Sequence, residues 1–211
     1  MDRAYENGFQ LAIHGIGDKA IEMIIDAYEV MDKKYSVKDR RNGVVHAQFT
    51  NKELLRRMKE GNVLALIQPI FIDDDMKVAE QRVGKERMEA VYAWKTMRDM
   101  GIHTAGGSDA PVASFEVLKN IHCAVNSQNL KSQPVGGWQP KEKLSVDEAV
   151  RLFTIDSAYA SFEEQEKGYL EIGKYADMVV LDKNIYEINN EDIINTSVEM
   201  TVLNGNVVYE K

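Results

Sequence analysis

GVVHAQFTNKELLRRMKEGNVLALIQP, residues 43–69, carries a strand, a helix and a second strand in one uninterrupted run. Gly43-Val44-Val45-His46 is a short β-branched segment, and residues 62–68 are an apolar run closed by Pro69, which ends pairing because it brings no amide hydrogen. Between them, Thr50-x-x-Glu53 has the form of a capping box that opens a helix running to about Glu60. A strand, a helix and a strand in this order predict parallel pairing through a crossover helix.

The same alternation extends in both directions. Residues 9–13 (FQLAI) predict a first strand, and Gly17-Asp18 opens a helix on which Ala20, Ile21, Ile24, Ile25, Ala27 and Tyr28 recur at helical spacing, with Asp18 as its N-cap. A helix around residues 86–100 leads into a fourth strand at residues 102–105, and Ser114 starts a helix through about Asn126. Four strand-then-helix units thus follow one another, the pattern of a parallel α/β fold. Residues 131–143 then break into a polar loop with Pro134, Gly136, Gly137, Trp138 and Pro140, long enough to cover a site. Ser145-x-x-Glu148 reads as another capping box, for a helix through about Asp156. Beyond Lys167 the sequence becomes strand-like, and Asn204-Gly205 is a two-residue hairpin signal. The expected division is an α/β domain over residues 1–166 and a small β appendage over residues 167–211.

With 211 residues and 44% hydrophobic side chains, the chain can bury a substantial core. A net charge of −8, with Lys and Arg scattered, argues against a nucleic-acid partner. No run reaches the roughly 18 apolar residues of a membrane span, and the opening MDRAYENGFQ lacks the basic and apolar regions of a signal peptide, so the chain reads as cytoplasmic with no membrane partner. Cys123, the single cysteine, falls on an apolar helix face and reads as a structural thiol.

In parallel α/β folds functional groups collect where strands end. His14, His46, Gln68 and Asp109 all fall at that phase. Two imidazoles and a carboxylate from separate strands are donors that Zn²⁺ takes with a position left for water. Each also has a plainer reading: a strand-end histidine as a hydrogen-bonded packing residue, and Asp109, within Gly107-Ser108-Asp109-Ala110-Pro111, as a turn former. The sequence leaves these alternatives open. A phosphate site at Gly106-Gly107-Ser108 fails for want of the lysine that follows in a P-loop.

At these residues the chain resembles the metal-dependent amidohydrolases of the YtcJ-like branch, amidohydrolase family 3, in their C-terminal half. The similarity is carried by His14-Gly-Ile-Gly-Asp-Lys-Ala20, Val45-His46-Ala-Gln48, Gln68-Pro69, Gly107-Ser108-Asp109-Ala-Pro111, and a tail with Gly168-x-Leu170-x-x-Gly173-Lys174-x-Ala176-Asp177. The resemblance implies half of a (β/α)₈ TIM barrel, about four β/α units, with a C-terminal β appendage from a composite β-sandwich. It implies His14 and His46 as ligands of a divalent metal, zinc by donor type and binuclear in the full-length family. It implies Asp109 as both ligand and general base, taking a proton from metal-activated water and returning it to the leaving nitrogen of a small amide-like substrate. Gln68 and Trp138 are candidate substrate contacts.

A complete (β/α)₈ barrel takes about 250 residues. The family's His-x-His and its bridging lysine have no counterpart here, so a fragment with a partial metal site is expected. The rival expectation is a non-catalytic α/β scaffold or subunit. Open strand edges and apolar faces predict a homo-oligomer, or a partner chain that completes the barrel. His103 and His122 are expected to pack, Trp94 to be core, and Asp73-Asp74-Asp75 to form a solvated loop.

Overall fold

Following α1 (Asp2–Glu6), strand β1 (Ala12–Gly15) leads into helix α2 (Asp18–Tyr35), β2 (Gly43–His46) into α3 (Lys52–Glu60), and β3 (Leu64–Ile67) into a 3₁₀ turn at Pro69–Phe71. This computed structural model describes residues 1–36 and 39–211. It divides into two units, residues 1–67 with 75–105, and residues 68–74 with 106–211.

In the first unit β1, β2 and β3 pair in parallel, with Ala12 opposite Gly43, His14 opposite Val45, and Val44 opposite Ala65. Strand β4 (Thr104–Gly106) extends the sheet order to β1-β2-β3-β4. The fold is therefore α/β around a parallel sheet. β1 begins three residues later than residues 9–13 predict, and Phe9 is exposed. Asp18 is not the N-cap of α2; Gly17 holds that position. Tyr28, Ile21, Ile24 and Ile25 form the buried stripe of α2, each isoleucine side chain contributing about 1.5–3 kcal/mol on burial. A Cβ at Gly15 would lie 2.7 Å from Ile24 Cδ1, so a larger residue there would push the Ile24 side chain aside where α2 settles on the end of β1.

The helix α3 starts one residue later than a Thr50 cap requires. Asn51 Oδ1 accepts from the Leu54 amide at 2.9 Å, while the Thr50 hydroxyl donates to the Ala90 carbonyl at 2.7 Å. Arg57 ties α3 to α2 through Glu29 and Asp26 at 2.8 and 2.6 Å. At the starting end of the strands, the Tyr5 hydroxyl donates to Asp32 and accepts from Asn42, whose Oδ1 receives the Leu11 amide.

Between β3 and β4 the chain forms α4 (Ile72–Asp75), α5 (Ala79–Val83), a 3₁₀ segment Lys85–Ala90 and α6 (Trp94–Asp99). The continuous helix expected over residues 86–100 is broken at Tyr92, whose φ is +53°. Trp94 is core, as expected. His103 precedes β4, and its carbonyl accepts from the Ala65 amide at 2.9 Å.

In the second unit α7 (Val117–Asn126) packs on the 3₁₀ turn at Pro69–Phe71, where the Ile70 amide donates to Asn120 Oδ1 at 3.1 Å. The Ser145–Glu148 capping box is present at the head of α8 (Val146–Leu152), and α9 (Ile155–Ala160) follows. The tail forms an antiparallel sheet of β5 (Met178–Leu181), β6 (Val198–Leu203) and β7 (Asn206–Glu210). Asn204 and Gly205, with φ of +49° and +77°, make the two-residue turn between β6 and β7. No helix among the described residues is long and apolar enough to cross a membrane.

Candidate functional site

His14 is the third residue of β1 and His46 the last of β2; their rings lie edge to face with centres 4.5 Å apart. Simple alternation does not give this contact. In the parallel register Gly15 lies opposite His46 and His14 opposite Val45, so an undistorted strand would send the two imidazoles to opposite faces of the sheet. His46, however, has a φ of +79°, and Ala47 follows at +47°. This left-handed exit turns the His46 ring back toward His14. For residues with a Cβ such conformations cost on the order of 1–3 kcal/mol each and persist only where the surroundings over-determine them.

Those surroundings are visible on every side of the exit. The Ala47 amide donates to the Gly15 carbonyl at 3.1 Å and the Phe49 amide to the Ile16 carbonyl at 2.9 Å. Phe49 bridges Val91, the Thr50 amide and hydroxyl both reach the Ala90 carbonyl, and the Tyr92 amide donates to the Gln48 carbonyl at 2.8 Å. The Gln48 side-chain amide donates to the Tyr92 hydroxyl at 2.5 Å and to Asp75 Oδ2 at 3.1 Å, and the Tyr92 hydroxyl itself donates to Asp75 Oδ2. Burial first, then the Asp75 carboxylate, push the Tyr92 phenol up, which keeps it protonated as a donor.

Two imidazoles on one tetrahedral zinc have ring centres about 5 Å apart, since Zn–N is about 2.0–2.1 Å. The His14–His46 centres, at 4.5 Å, come near that separation, and two imidazoles are donors that part of a cation site can use. His46 is 3% exposed, whereas His14 is exposed and open to a ligand. No group of three or more His, Cys, Asp or Glu able to hold a metal occurs among the described residues.

Asp109 belongs to the second unit, three residues beyond β4. It is exposed, has a φ of +57°, and accepts from the Val112 amide through its carbonyl at 2.8 Å, so it is a turn residue whose carboxylate faces solvent. Upstream, a Cβ at Gly106 would lie 2.8 Å from Phe153 Cζ, and one at Gly107 would lie 3.8 Å from Gln68 Nε2. Gln68 is buried at the head of the 3₁₀ turn. Trp138 is half-buried, and its amide donates to the Ser127 carbonyl at 2.7 Å. Gln128 Nε2 to the Pro134 carbonyl and the Gln139 amide to Ser127 Oγ add to the tether, so the loop over residues 131–143 is fastened to the end of α7.

The remaining candidates divide clearly. His122 is fully buried between the Asn126 amide on Nδ1 and the Asn129 carbonyl on Nε2, which serves packing. Burial pushes the Cys123 thiol up to about 12, with Asp73 as a smaller cause, leaving it an inert buried group. Asp73-Asp74-Asp75 is not a solvated loop. Asp73 and Asp75 sit in α4, Asp73 accepting the Leu130 amide at 2.8 Å and Asp75 bound to Tyr92 and Gln48. Sequence reading missed Tyr92 and Asp75; the one signal was an apolar helical period that slips at Ala90-Val91-Tyr92.

The amidohydrolase family model matches residues 1–209. The Bacillus subtilis strain 168 protein named as amidohydrolase YtcJ is 35% identical over 209 residues, covering 99% of this chain and 39% of that protein. The N-substituted formamide deformylase of Arthrobacter pascens is 28% identical over 210 residues, covering 99% of this chain and 38% of that enzyme. A crystal structure of a metal-dependent hydrolase from Pyrococcus furiosus aligns with a TM-score of 0.70 at 31% identity, covering 83% of this chain and 34% of that one. The chain spans about two fifths or less of the length of each.

Proposed function

The chain belongs to the amidohydrolase family, and from that premise we propose that it forms part of a metal-dependent hydrolase cleaving an amide-like carbon–nitrogen bond in a small molecule. The observation that carries the reading is the His14–His46 ring pair, delivered from neighbouring parallel strands by a backbone conformation that is costly to hold. We take the four strand-then-helix units of residues 1–166 as the C-terminal half of a (β/α)₈ barrel, and residues 167–211 as strands returning to a β-sandwich.

In this reading His14 and His46 hold a divalent cation, zinc by the preference of imidazole donors, and Asp109 is a further ligand. When bound, such a cation supplies Lewis acidity and lowers the pKa of water from 15.7 toward about 7. The carboxylate of Asp109 takes the proton released as water attacks the carbonyl carbon, then returns it to the leaving nitrogen. Gln68 and Trp138 contact the substrate.

Elemental analysis for Zn, Mn, Fe and Ni, on protein purified without chelator and offered zinc, tests the site. We expect metal in the wild type and its loss in His14→Ala and His46→Ala, with Asp109→Asn retaining metal at lower affinity and losing turnover of N-substituted formamides. No metal above background in the wild type would sink the reading. The rival, a non-catalytic α/β subunit, is favoured by one observation: no three-donor group is assembled among the described residues. Metal uptake with formamide turnover rules that rival out.

The oligomer is part of the same proposal. Val179, Val180, Leu203, Val207 and Val208 are all exposed on the β5-β6-β7 sheet, and every residue of β7 is exposed. A second copy of the chain covers such strands in our reading. Sedimentation equilibrium giving a monomer at micromolar concentration would count against it.

A further inference from the structure

The geometry points to Tyr92, acting with Asp75 through Gln48, as a positioning residue that holds the His46 ring against His14, an inference that rests on the reading of those histidines as a metal pair. Three observations carry it. The register alone places the two imidazoles on opposite faces, and the left-handed conformation of His46 and Ala47 reverses that. Such an exit persists only if something external fixes it. The fixing groups converge on Gln48, two residues beyond His46: the Tyr92 amide donates to its carbonyl, while the Tyr92 hydroxyl and the Asp75 carboxylate both accept from its side-chain amide nitrogen.

The triangle is closed, because Tyr92 also donates to Asp75. Each polar atom named is matched by its neighbour, and Tyr92 is buried with an aromatic wall of Trp94, 5.4 Å between ring centres, and Phe49 at 6.3 Å. The helix break at Tyr92 has a physical purpose in this account. It turns the Tyr92 side chain out of the helical path and onto Gln48, at the expense of another left-handed residue. The effect runs through Gln48 and the backbone, so Tyr92 itself needs no contact with metal or substrate.

Two readouts on the 211-residue chain test this. The first is the nuclear Overhauser contact between the His14 and His46 rings, measured without metal and assigned by its loss in His14→Ala. The second is zinc affinity by titration. We expect Tyr92→Phe and Asp75→Asn each to abolish or strongly weaken the inter-ring contact and to lower zinc affinity 10–100-fold, the usual effect of losing a group that orients a ligand. Tyr28→Phe is the control: it removes another buried tyrosine hydroxyl from the same strand at its opposite end, where Tyr28 donates to the Gly43 carbonyl, and should leave both readouts unchanged.

Rescue separates positioning from general damage. Gln48→Glu places two carboxylates together and should break the pair, whereas Gln48→Glu combined with Asp75→Asn restores a donor opposite an acceptor and should recover the ring contact. Retention of the ring contact in folded Tyr92→Phe, Asp75→Asn and Gln48→Glu would overturn the inference. Should Tyr92→Phe fail to fold, the Gln48/Asp75 exchange decides: recovery supports the inference and no recovery in a folded double variant overturns it. If the wild type takes up no zinc, the metal reading falls, and the ring contact still decides the positioning role.

Discussion

The imidazoles of His14 and His46 meet edge to face at 4.5 Å although their strand register assigns them to opposite sides of the sheet. The two rings are unequal. One is exposed on β1, and the other is 3% exposed at the turn out of β2. Diethyl pyrocarbonate should therefore modify His14 well before His46, read by peptide mass spectrometry. His14→Ala should change stability by less than about 0.5 kcal/mol, while His46→Ala should cost about 1 kcal/mol or more, because a buried group is lost from a packed turn. Equal modification rates would show that the pair is not held as described.

Helix α3 supplies a second expectation. With the cap at Asn51, Asn51→Ala should lower stability by about 1 kcal/mol in urea denaturation. Glu53 pairs with the exposed Arg56 at the surface, so Glu53→Ala should stay within about 0.5 kcal/mol. The reverse order of effects would restore the Thr50 capping box.

At the end of β4, Gly106→Ala places a methyl group within 2.8–3.0 Å of three Phe153 ring atoms. Overpacking of this kind costs about 1–3 kcal/mol, and Phe153→Leu in the same chain should recover part of it. Gly107→Ala meets nothing nearer than 3.8 Å and should be close to neutral. Thermal melts of the three variants check the order.

His122 sets a pH dependence. Burial pushes its imidazole down from the ordinary value, outweighing the Asn129 carbonyl and Glu191. The neutral ring is thus the folded form, and the unfolded chain binds the extra proton. Its contribution to stability is full above the unfolded value near 6.5 and is lost as pH falls below it. His122→Gln should flatten the fall in urea midpoint between pH 7 and pH 5, by a slope of at most one proton. A midpoint that rises on acidification would refute the assignment.

The sequence made some of this structure legible and hid the rest for identifiable reasons. β2 is predicted residue for residue because Val44 and Val45 lie between Gly43 and a turn, and the Ser145–Glu148 box is a local arrangement needing no distant partner. β1 is misplaced because its span is set by pairing to β2 and by the close approach of α2 at Gly15, neither of which leaves a mark in residues 9–13. The strand-end rule finds His14 and His46 but says nothing of how their rings meet, since a positive φ at a histidine has no composition signal. Tyr92 and Asp75 were invisible for a related reason: both reach Gln48 from distant parts of the chain, and the run of three aspartates disguised the one that meets Gln48.

The turn at Asn204 and Gly205 has a kinetic meaning. Its left-handed residues already favour the twist that β6 and β7 need, and the strands it joins are adjacent in sequence. Hairpins of this kind close in about 1–10 μs. The parallel ladder of β1, β2 and β3 requires each strand to wait for an intervening helix before it finds its neighbour, and such non-local pairing is slow. The β6–β7 hairpin thus has the least chain to close, whereas the two histidines meet only through a pairing that spans an intervening helix.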